Sequence, residues 1–129
     1  MPITKSDARQ WPLAEIIRFN VNDVEAGVQA IADLAGGEVI TGGSITVLTP
    51  WNTTGAATVD LGDADTVDAY LDGVNLKAAA RTAFTLTGGV YSSAAELLAT
   101  FAFADTAATE GEAVIEFTVV REGRQNETA

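Results

Sequence analysis

The segment Glu38–Thr49, EVITGGSITVLT, is the clearest strand region of the sequence. β-Branched residues run through it, and they favour strands because a branched side chain packs well on a pleated surface. The pair Gly42-Gly43 interrupts the run, which indicates either a tight hairpin or a bulged, sharply bent strand. A hairpin would leave a first arm of only about four residues, which is short for a strand. We therefore predict one bent strand.

Segments that alternate between apolar and polar residues predict further strands on both sides of this one. They cover residues 13–22, 57–61, 82–86, 96–104 and 113–122. Residues 28–34, VQAIADL, fit either a strand or a helical turn, and we predict a strand. About seven or eight short strands, separated by Gly, Asp and Thr turns, predict an all-β fold. The expected architecture is an antiparallel β-sandwich of jelly-roll-like type.

The ends of the chain differ from this strand-rich part. Residues 1–12 are polar and without periodicity, and we predict a polar N-terminal arm that is frayed at the chain end. The alternative is an arm that becomes ordered on a partner, with Trp11 as its anchor. Residues 13–122 are predicted to form a single β-sandwich domain, a size that suits one domain. Residues 123–129 are predicted to be a loose C-terminal tail.

The composition excludes several classes of function. The 129 residues carry a net charge of −11 with a pI near 4.1, so neither nucleic acid nor an anionic membrane is an expected partner. The chain has no Cys and no His, which removes disulfides, thiolate nucleophiles, the usual zinc sites and histidine acid–base catalysis. No cofactor is predicted. The N-terminal residues lack the apolar region of a signal peptide, which predicts synthesis in the cytoplasm.

The densest charge lies in residues 58–73, TVDLGDADTVDAYLDG. Four carboxylates are candidate metal ligands: Asp60, Asp63, Asp65 and Asp68. Carboxylate oxygens suit Ca²⁺, but the calcium-loop pattern fails because Val74 stands at the twelfth position from Asp63, where glutamate is required. We favour a turn in which Asp side chains accept hydrogen bonds from backbone N–H groups. In this interpretation Tyr70 and Leu71 are part of the core.

Catalysis is not predicted for this chain. Two carboxylates could form a glycosidase site, but such a site needs a cleft lined with aromatic rings, and aromatic residues make up only 7% of the chain. A nucleophilic Ser or Thr would lack a histidine base. Arg81 is expected to form an ion pair with Asp63, Asp65 or Asp68. An exposed pair of this kind contributes about 0–1 kcal/mol, so it would shape the loop rather than stabilise the fold.

Three segments together carry a resemblance to a known family: VITGGSITVLTPWN, TVDLGDADTVDAYLDGVNL and AATEGEAVIEFTVVREGR. They resemble small virion proteins of tailed bacteriophages. In those proteins a Gly-Gly strand leads into an aromatic loop and an acidic segment, and the last strand ends in an arginine-glycine tail. The resemblance covers roughly residues 40–124. It implies a capsid decoration or cement protein, a β-sandwich module that binds the major capsid protein on the outside of the assembled shell and stabilises it.

The resemblance also implies partners and a location. Such a protein is made in the host cytoplasm, is located on the capsid surface of the virion, and associates with itself as a dimer or trimer. The interface candidates are Trp11, Trp51 and Tyr70, because buried aromatic rings often anchor protein contacts. The alternative function is a head-fibre or tail-associated β-module that binds a host glycan or receptor. One exposed surface shared by the three rings would favour the glycan module, whereas burial at a subunit contact would favour cement.

Overall fold

The computed structural model describes residues 12–86, 90–104 and 107–121. These ranges contain eight β-strands and no helix, and hence no helix long and apolar enough to cross a membrane. The strands are β1 (Leu13–Asn20), β2 (Gly27–Leu34), β3 (Glu38–Thr49), β4 (Ala57–Gly62), β5 (Leu71–Asn75), β6 (Arg81–Ala83), β7 (Ala95–Phe103) and β8 (Glu112–Arg121). The predicted arm up to Trp11 and the predicted tail of residues 123–129 lie outside the described residues.

The strands form two four-stranded sheets. Sheet A has the order β1-β8-β3-β6 and sheet B the order β2-β7-β4-β5, and every strand pair is antiparallel. The first strand pairs with the last, β2 with β7, β3 with β6 and β4 with β5. The inward side chains of both sheets form one core between them. The predicted all-β antiparallel sandwich is confirmed.

Strand β3 is one bent strand and not a hairpin, as predicted. It pairs with β8 along its length and shifts register between Ile40 and Gly42. A Cβ atom on Gly43 would lie 2.6 Å from the ring of Phe84 and 2.7 Å from the carbonyl oxygen of Glu116. No real Cβ tolerates such distances, so the absence of a side chain at this position lets the Phe84 ring enter the core. The glycine pair therefore serves packing and not a chain reversal.

Residues 28–34 lie in strand β2, which confirms the predicted strand over the helical turn. The register of β2 against β7 shifts between Ala30 and Ala32. A bulge of this kind changes which residues face the core, so the apolar side chains no longer follow a strict period of two. This explains why the segment also fits a helical spacing.

Residues Leu71–Asn75 form strand β5, which is not among the strands predicted from the sequence. Leu71 and Val74 are both buried although they are three residues apart. The alternation breaks at Gly73, whose φ of +60° lies in the left-handed region. A period-of-two pattern could not reveal this strand.

The strand predicted at residues 82–86 is shorter in the structure and covers only Arg81–Ala83. Phe84 turns into the core directly afterwards, and its N–H donates a hydrogen bond to the carbonyl oxygen of Gly43 at 2.9 Å. The next N–H, that of Thr85, donates to the carbonyl oxygen of Tyr70 at 2.9 Å. The chain thus leaves sheet A toward the connection before β5 of sheet B, which ends the strand.

Two groups of aromatic rings lie in the core. The Trp51 cluster, at the end of the sandwich where β1, β3 and β7 finish, consists of Phe19, Trp51, Phe101 and Phe103, with ring centroids 5.5–6.0 Å apart. The Tyr70 cluster, toward the opposite end, consists of Tyr70, Phe84 and Phe117, with ring centroids 5.7 and 6.5 Å apart. Apart from Trp11, Tyr91 is the only aromatic residue of the chain outside these groups, and it packs against the core.

Candidate functional site

The acidic segment is the connection between β4 and β5. Asp63 organises its turn, since its Oδ1 accepts hydrogen bonds from the N–H groups of Asp65 (3.0 Å) and Thr66 (2.8 Å). The turn folds tightly over Gly62, where a Cβ would lie 2.0 Å from the carbonyl oxygen of Thr66. The predicted turn, with an Asp side chain bound to backbone N–H groups, is confirmed.

A chain of hydrogen bonds fixes this turn to the core. Tyr91 donates its hydroxyl proton to Asp63 Oδ2 at 3.0 Å. The hydroxyl oxygens of Tyr70 and Tyr91 lie 2.5 Å apart. Because the Tyr91 proton is already donated to Asp63, Tyr70 must be the donor to Tyr91. Burial raises the pKa of both phenols above the ordinary value, and the Tyr70 contact raises the pKa of Tyr91 further.

The four candidate metal ligands do not come together. Asp60 Oδ1 accepts a hydrogen bond from the N–H of Gly73 at 2.5 Å, and both oxygens of Asp63 are engaged as described above. Asp65 and Asp68 are exposed. Among the described residues, no group of three or more His, Cys, Asp or Glu could hold a metal ion. The described structure therefore assembles no metal site from these four carboxylates.

The predicted ion pair of Arg81 with the acidic segment is also wrong. Arg81 Nη2 lies 3.9 Å from Glu116 Oε1, and its Nε donates a hydrogen bond to Ser44 Oγ at 3.1 Å. The physical reason is topological: Arg81 lies in β6 of sheet A, whereas the acidic segment joins two strands of sheet B. Both partners of the pair are more than half exposed, so its contribution to stability is small.

Two of the three interface candidates belong to the core of this chain. Trp51 is 2% exposed and Tyr70 is 4% exposed, and they belong to the two separate aromatic clusters. Gly111 lies against the Trp51 ring, where a Cβ would be 2.4 Å away. The two rings therefore do not share an exposed surface, contrary to the arrangement that a glycan module would need. Trp11 lies outside the described residues.

A cleft beside the acidic segment has a volume of about 640 Å³. Asp63, Tyr70 and Tyr91 line it, together with Glu96 and Ser92. Tyr91 was not among the candidate site residues predicted from the sequence. The signal that could have found it is a tyrosine in a polar connecting segment, because a phenol joins an apolar ring to a hydrogen-bonding group.

Charge is distributed unequally over the two sheets. The strands of sheet B contain no Lys or Arg and four carboxylates: Asp33, Asp60, Asp72 and Glu96. The β4–β5 connection adds three more. Sheet A contains three arginines, Arg18, Arg81 and Arg121, with four glutamates. Charge on sheet A is nearly balanced, whereas the acidic charge of sheet B has no cation on its own strands.

One arginine of sheet A makes a close ion pair. Arg18 Nη2 donates to Glu112 Oε1 at 2.7 Å across the β1–β8 pair, and this contact raises the pKa of Arg18. On the same sheet, Thr41 and Thr118 are joined through their hydroxyl oxygens at 2.9 Å. Side chains of sheet A are therefore paired with one another across strands. A surface of this kind can contact another protein without burying unpaired charges.

No protein-family model matches the sequence, and no curated protein matches it. Solved structures do match the fold. A chain in the cyanophage Pam1 capsid asymmetric unit superposes with a TM-score of 0.62 at 14% identity, covering 92% of this chain and 98% of that one. A chain in the acidic stable capsid of Helicobacter pylori bacteriophage KHP30 gives 0.64 at 17% identity, covering 87% and 93%. A chain in the capsid of Ralstonia phage GP4 gives 0.64 at 16% identity, covering 94% and 91%.

These likenesses establish a shared fold over almost the whole length of each chain. Identity of 14–17% is too low to transfer individual residues, and the three capsid structures come from phages of different hosts. The two-sheet sandwich described above is therefore an architecture that chains in phage capsid structures also adopt.

Proposed function

We propose that this protein is a structural component of a tailed-bacteriophage virion that binds the outside of the assembled capsid shell and stabilises it. The observation that carries the proposal is the fold shared with chains in three phage capsid structures. The sequence resemblance to small virion proteins points the same way. The proposed partner is the major capsid protein, and the proposed location is the surface of the capsid.

The extent of the structural match favours a small accessory chain over a fragment of a shell subunit. Each superposition covers at least 91% of the capsid chain and at least 87% of this one. The matched chains therefore have about the same length as this protein. A likeness to one domain of a much larger subunit would have covered only a small part of that subunit.

The strand order supports the finer classification as a jelly roll, which we include in the proposal. The pairs β1–β8, β2–β7, β3–β6 and β4–β5 are those of a long hairpin wrapped into a sandwich. An eight-stranded double sheet of this type recurs in capsid proteins. The fold alone does not determine function, so the proposal also depends on what the surface can do.

The physical mechanism of stabilisation is mass action. A protein that binds only the assembled shell lowers the free energy of that state, by about 2.7 kcal/mol per site when its free concentration is 100 times the Kd. A chain with a net charge of −11 stays soluble until it meets its binding surface. Loops and strand edges would make the contacts, because the core is occupied by the chain's own side chains.

The alternative of a glycan-binding module gains no support from the described residues. Sugar rings stack on exposed aromatic faces, but both aromatic clusters lie in the core, and Trp51 and Tyr70 are buried in different ones. We therefore propose no second function.

The test uses capsids purified without this protein. The purified chain should co-sediment with them to saturation and should raise their melting temperature in calorimetry. Unassembled capsid protein at equal concentration is the control and should not bind. Capsids that melt identically with and without the chain would contradict the proposal, as would binding to host-cell polysaccharide without binding to capsids.

A further inference from the structure

The four edge strands of the sandwich are protected to different degrees. Strand β6 has only three residues, and β5 has five with Gly73 at φ +60°. Strand β2 is interrupted by the register shift after Ala30. Short strands, bulges and irregular backbone are the usual means by which proteins prevent edge-to-edge pairing. Strand β1 has none of them, since all eight residues pair with β8 without a register shift.

Strand β1 also exposes large apolar side chains to solvent. Ile16 is 69% exposed and Leu13 is 52% exposed. Ile16 is the most exposed large hydrophobic residue of the described chain. No described strand pairs with the free edge of β1. The strand thus combines an open row of backbone donors and acceptors with uncovered apolar surface.

The charges near each edge indicate which edge a second copy of this chain can approach. Two copies of a chain with a net charge of −11 repel each other, so they can approach only where the local charge is balanced. The residues of strand β1 have no net charge, since they include one acid, Glu15, and one base, Arg18, although Arg18 also contacts Glu112 of the neighbouring strand. The other long edge, β2, carries Asp33 without a cation. The balanced charge of β1 makes it the edge that a second copy can reach at the lowest electrostatic cost.

We propose that β1 pairs with β1 of a second copy, antiparallel and about a two-fold axis at Ile16. In this register Ile16 faces its own equivalent, Ala14 faces Arg18, and Glu15 faces Ile17. No like charges stand opposite each other, whereas registers centred on Glu15 or Arg18 would place identical charges on the axis. The pairing covers the most exposed apolar side chain and joins sheet A of both copies into one sheet. This goes beyond the proposed function, because it concerns the purified chain without a capsid.

The absence of cysteine in the chain makes a direct test possible. Ile16→Cys should form a disulfide-linked dimer on mild oxidation, because cross-strand Cα atoms at the axis lie about 4.5–5.5 Å apart, which is within the range of disulfides. Val28→Cys is the matched control, since Val28 lies on β2 and is 60% exposed. It should cross-link at least about tenfold more slowly, because only random collisions bring its thiols together.

Sedimentation of the wild-type protein provides the second measurement. We expect a dimer whose Kd decreases as salt is added, because screening weakens the repulsion between the acidic bodies. Ile16→Lys should raise that Kd about tenfold or more, whereas Val28→Lys, with the same change of charge, should leave it within about twofold. Far-UV circular dichroism verifies that the variants fold.

One combination of results would support the proposed pairing of β1 strands, and three other results would contradict it. Rapid cross-linking of Ile16→Cys together with selective loss of the dimer in Ile16→Lys supports the proposal. A wild-type chain that remains a monomer up to about 1 mM overturns it. Equal cross-linking of both cysteine variants, or equal weakening by both lysine variants, also overturns it. None of these results bears on whether the chain binds capsids, so the two proposals fail separately.

Discussion

The two ends of the sandwich are closed by different means. At one end the Trp51 cluster closes the core by apolar packing, with the Trp51 ring lying on Gly111. At the other end the Tyr70 cluster reaches the surface through hydroxyl groups, and Tyr91 joins it to the carboxylate of Asp63. The acidic segment, whose carboxylates are candidate metal ligands in the sequence, is therefore a polar closure of the core.

The Trp51 end also has polar contacts, but those of Asn52 lie at the surface. Asn52 Oδ1 accepts hydrogen bonds from the N–H groups of Thr109 (2.8 Å) and Glu110 (3.2 Å), which joins the connection after β3 to the one before β8. The buried ring itself contributes no hydrogen bond, since Trp51 Nε1 has no partner among the described residues. Apolar packing therefore dominates this end.

Removing the Trp51 ring should produce the largest effect. Trp51→Ala is expected to lower the free energy of unfolding by about 3–5 kcal/mol, because it leaves a large cavity among buried rings. Trp51→Phe is the control and should lower it by less, since it keeps a ring and loses no hydrogen bond. Urea denaturation followed by circular dichroism measures both. Equal destabilisation by the two variants would contradict packing as the dominant contribution.

Adding a methyl group beneath a ring should have an intermediate effect at either end. Gly111→Ala meets the Trp51 ring, and Gly43→Ala meets the Phe84 ring, so each should lower the free energy of unfolding by about 1–3 kcal/mol. The control is Gly42→Ala, whose Cβ would meet only Thr118 Oγ1 at 3.6 Å, and it should change stability by at most about 0.5 kcal/mol. A large loss in Gly42→Ala would show that backbone freedom, rather than ring contact, requires the glycine pair.

High pH should lower the free energy of unfolding through the Tyr70 end only. This is the smallest predicted effect, because stability at neutral pH is unchanged. Burial raises the folded pKa of Tyr70 and Tyr91 above the unfolded value of about 10. Stabilisation by the protonated phenols is therefore complete below pH 10 and is lost as the pH rises above it. The chain has two tyrosines, so absorbance of tyrosinate reports both.

The expected titration has no midpoint near pH 10, and tyrosinate appears only at higher pH together with unfolding. Tyr91→Phe should reduce the loss of stability above pH 10, because one of the two titrating groups is gone. A titration of both phenols near pH 10 in the folded protein would contradict the hydrogen-bond chain.

Local patterns predicted what depends on neighbours in the chain. The alternation of β-branched residues identified β3, and the same signal identified β1, β4, β7 and β8 to within a few residues. The bend at Gly42-Gly43 was predicted because a hairpin arm would have been too short. Strand β5 was missed because Gly73 breaks its alternation, and β6 was overextended because the turn of Phe84 into the core depends on a distant glycine.

The candidate site was harder to predict, because it depends on contacts between distant segments. Asp63 was identified as a turn residue from its own surroundings, but its bond to Tyr91 joins positions 28 residues apart. Arg81 was given the wrong partner because it follows the acidic segment closely in the sequence, although the two lie in different sheets. Trp51 was placed among interface residues because a Trp in a polar segment does not reveal that its ring folds beneath the loop.

The class of fold and the acidic, cysteine-free and histidine-free chemistry follow from strand alternation and composition, because these are properties of each segment alone. Tertiary structure decided that the acidic segment is a closure of the core, that charge is balanced on sheet A but not on sheet B, and that β1 is the unprotected edge. These properties arise only when antiparallel pairing brings together residues that lie tens of positions apart. A pattern read along one segment carries no information about such neighbours.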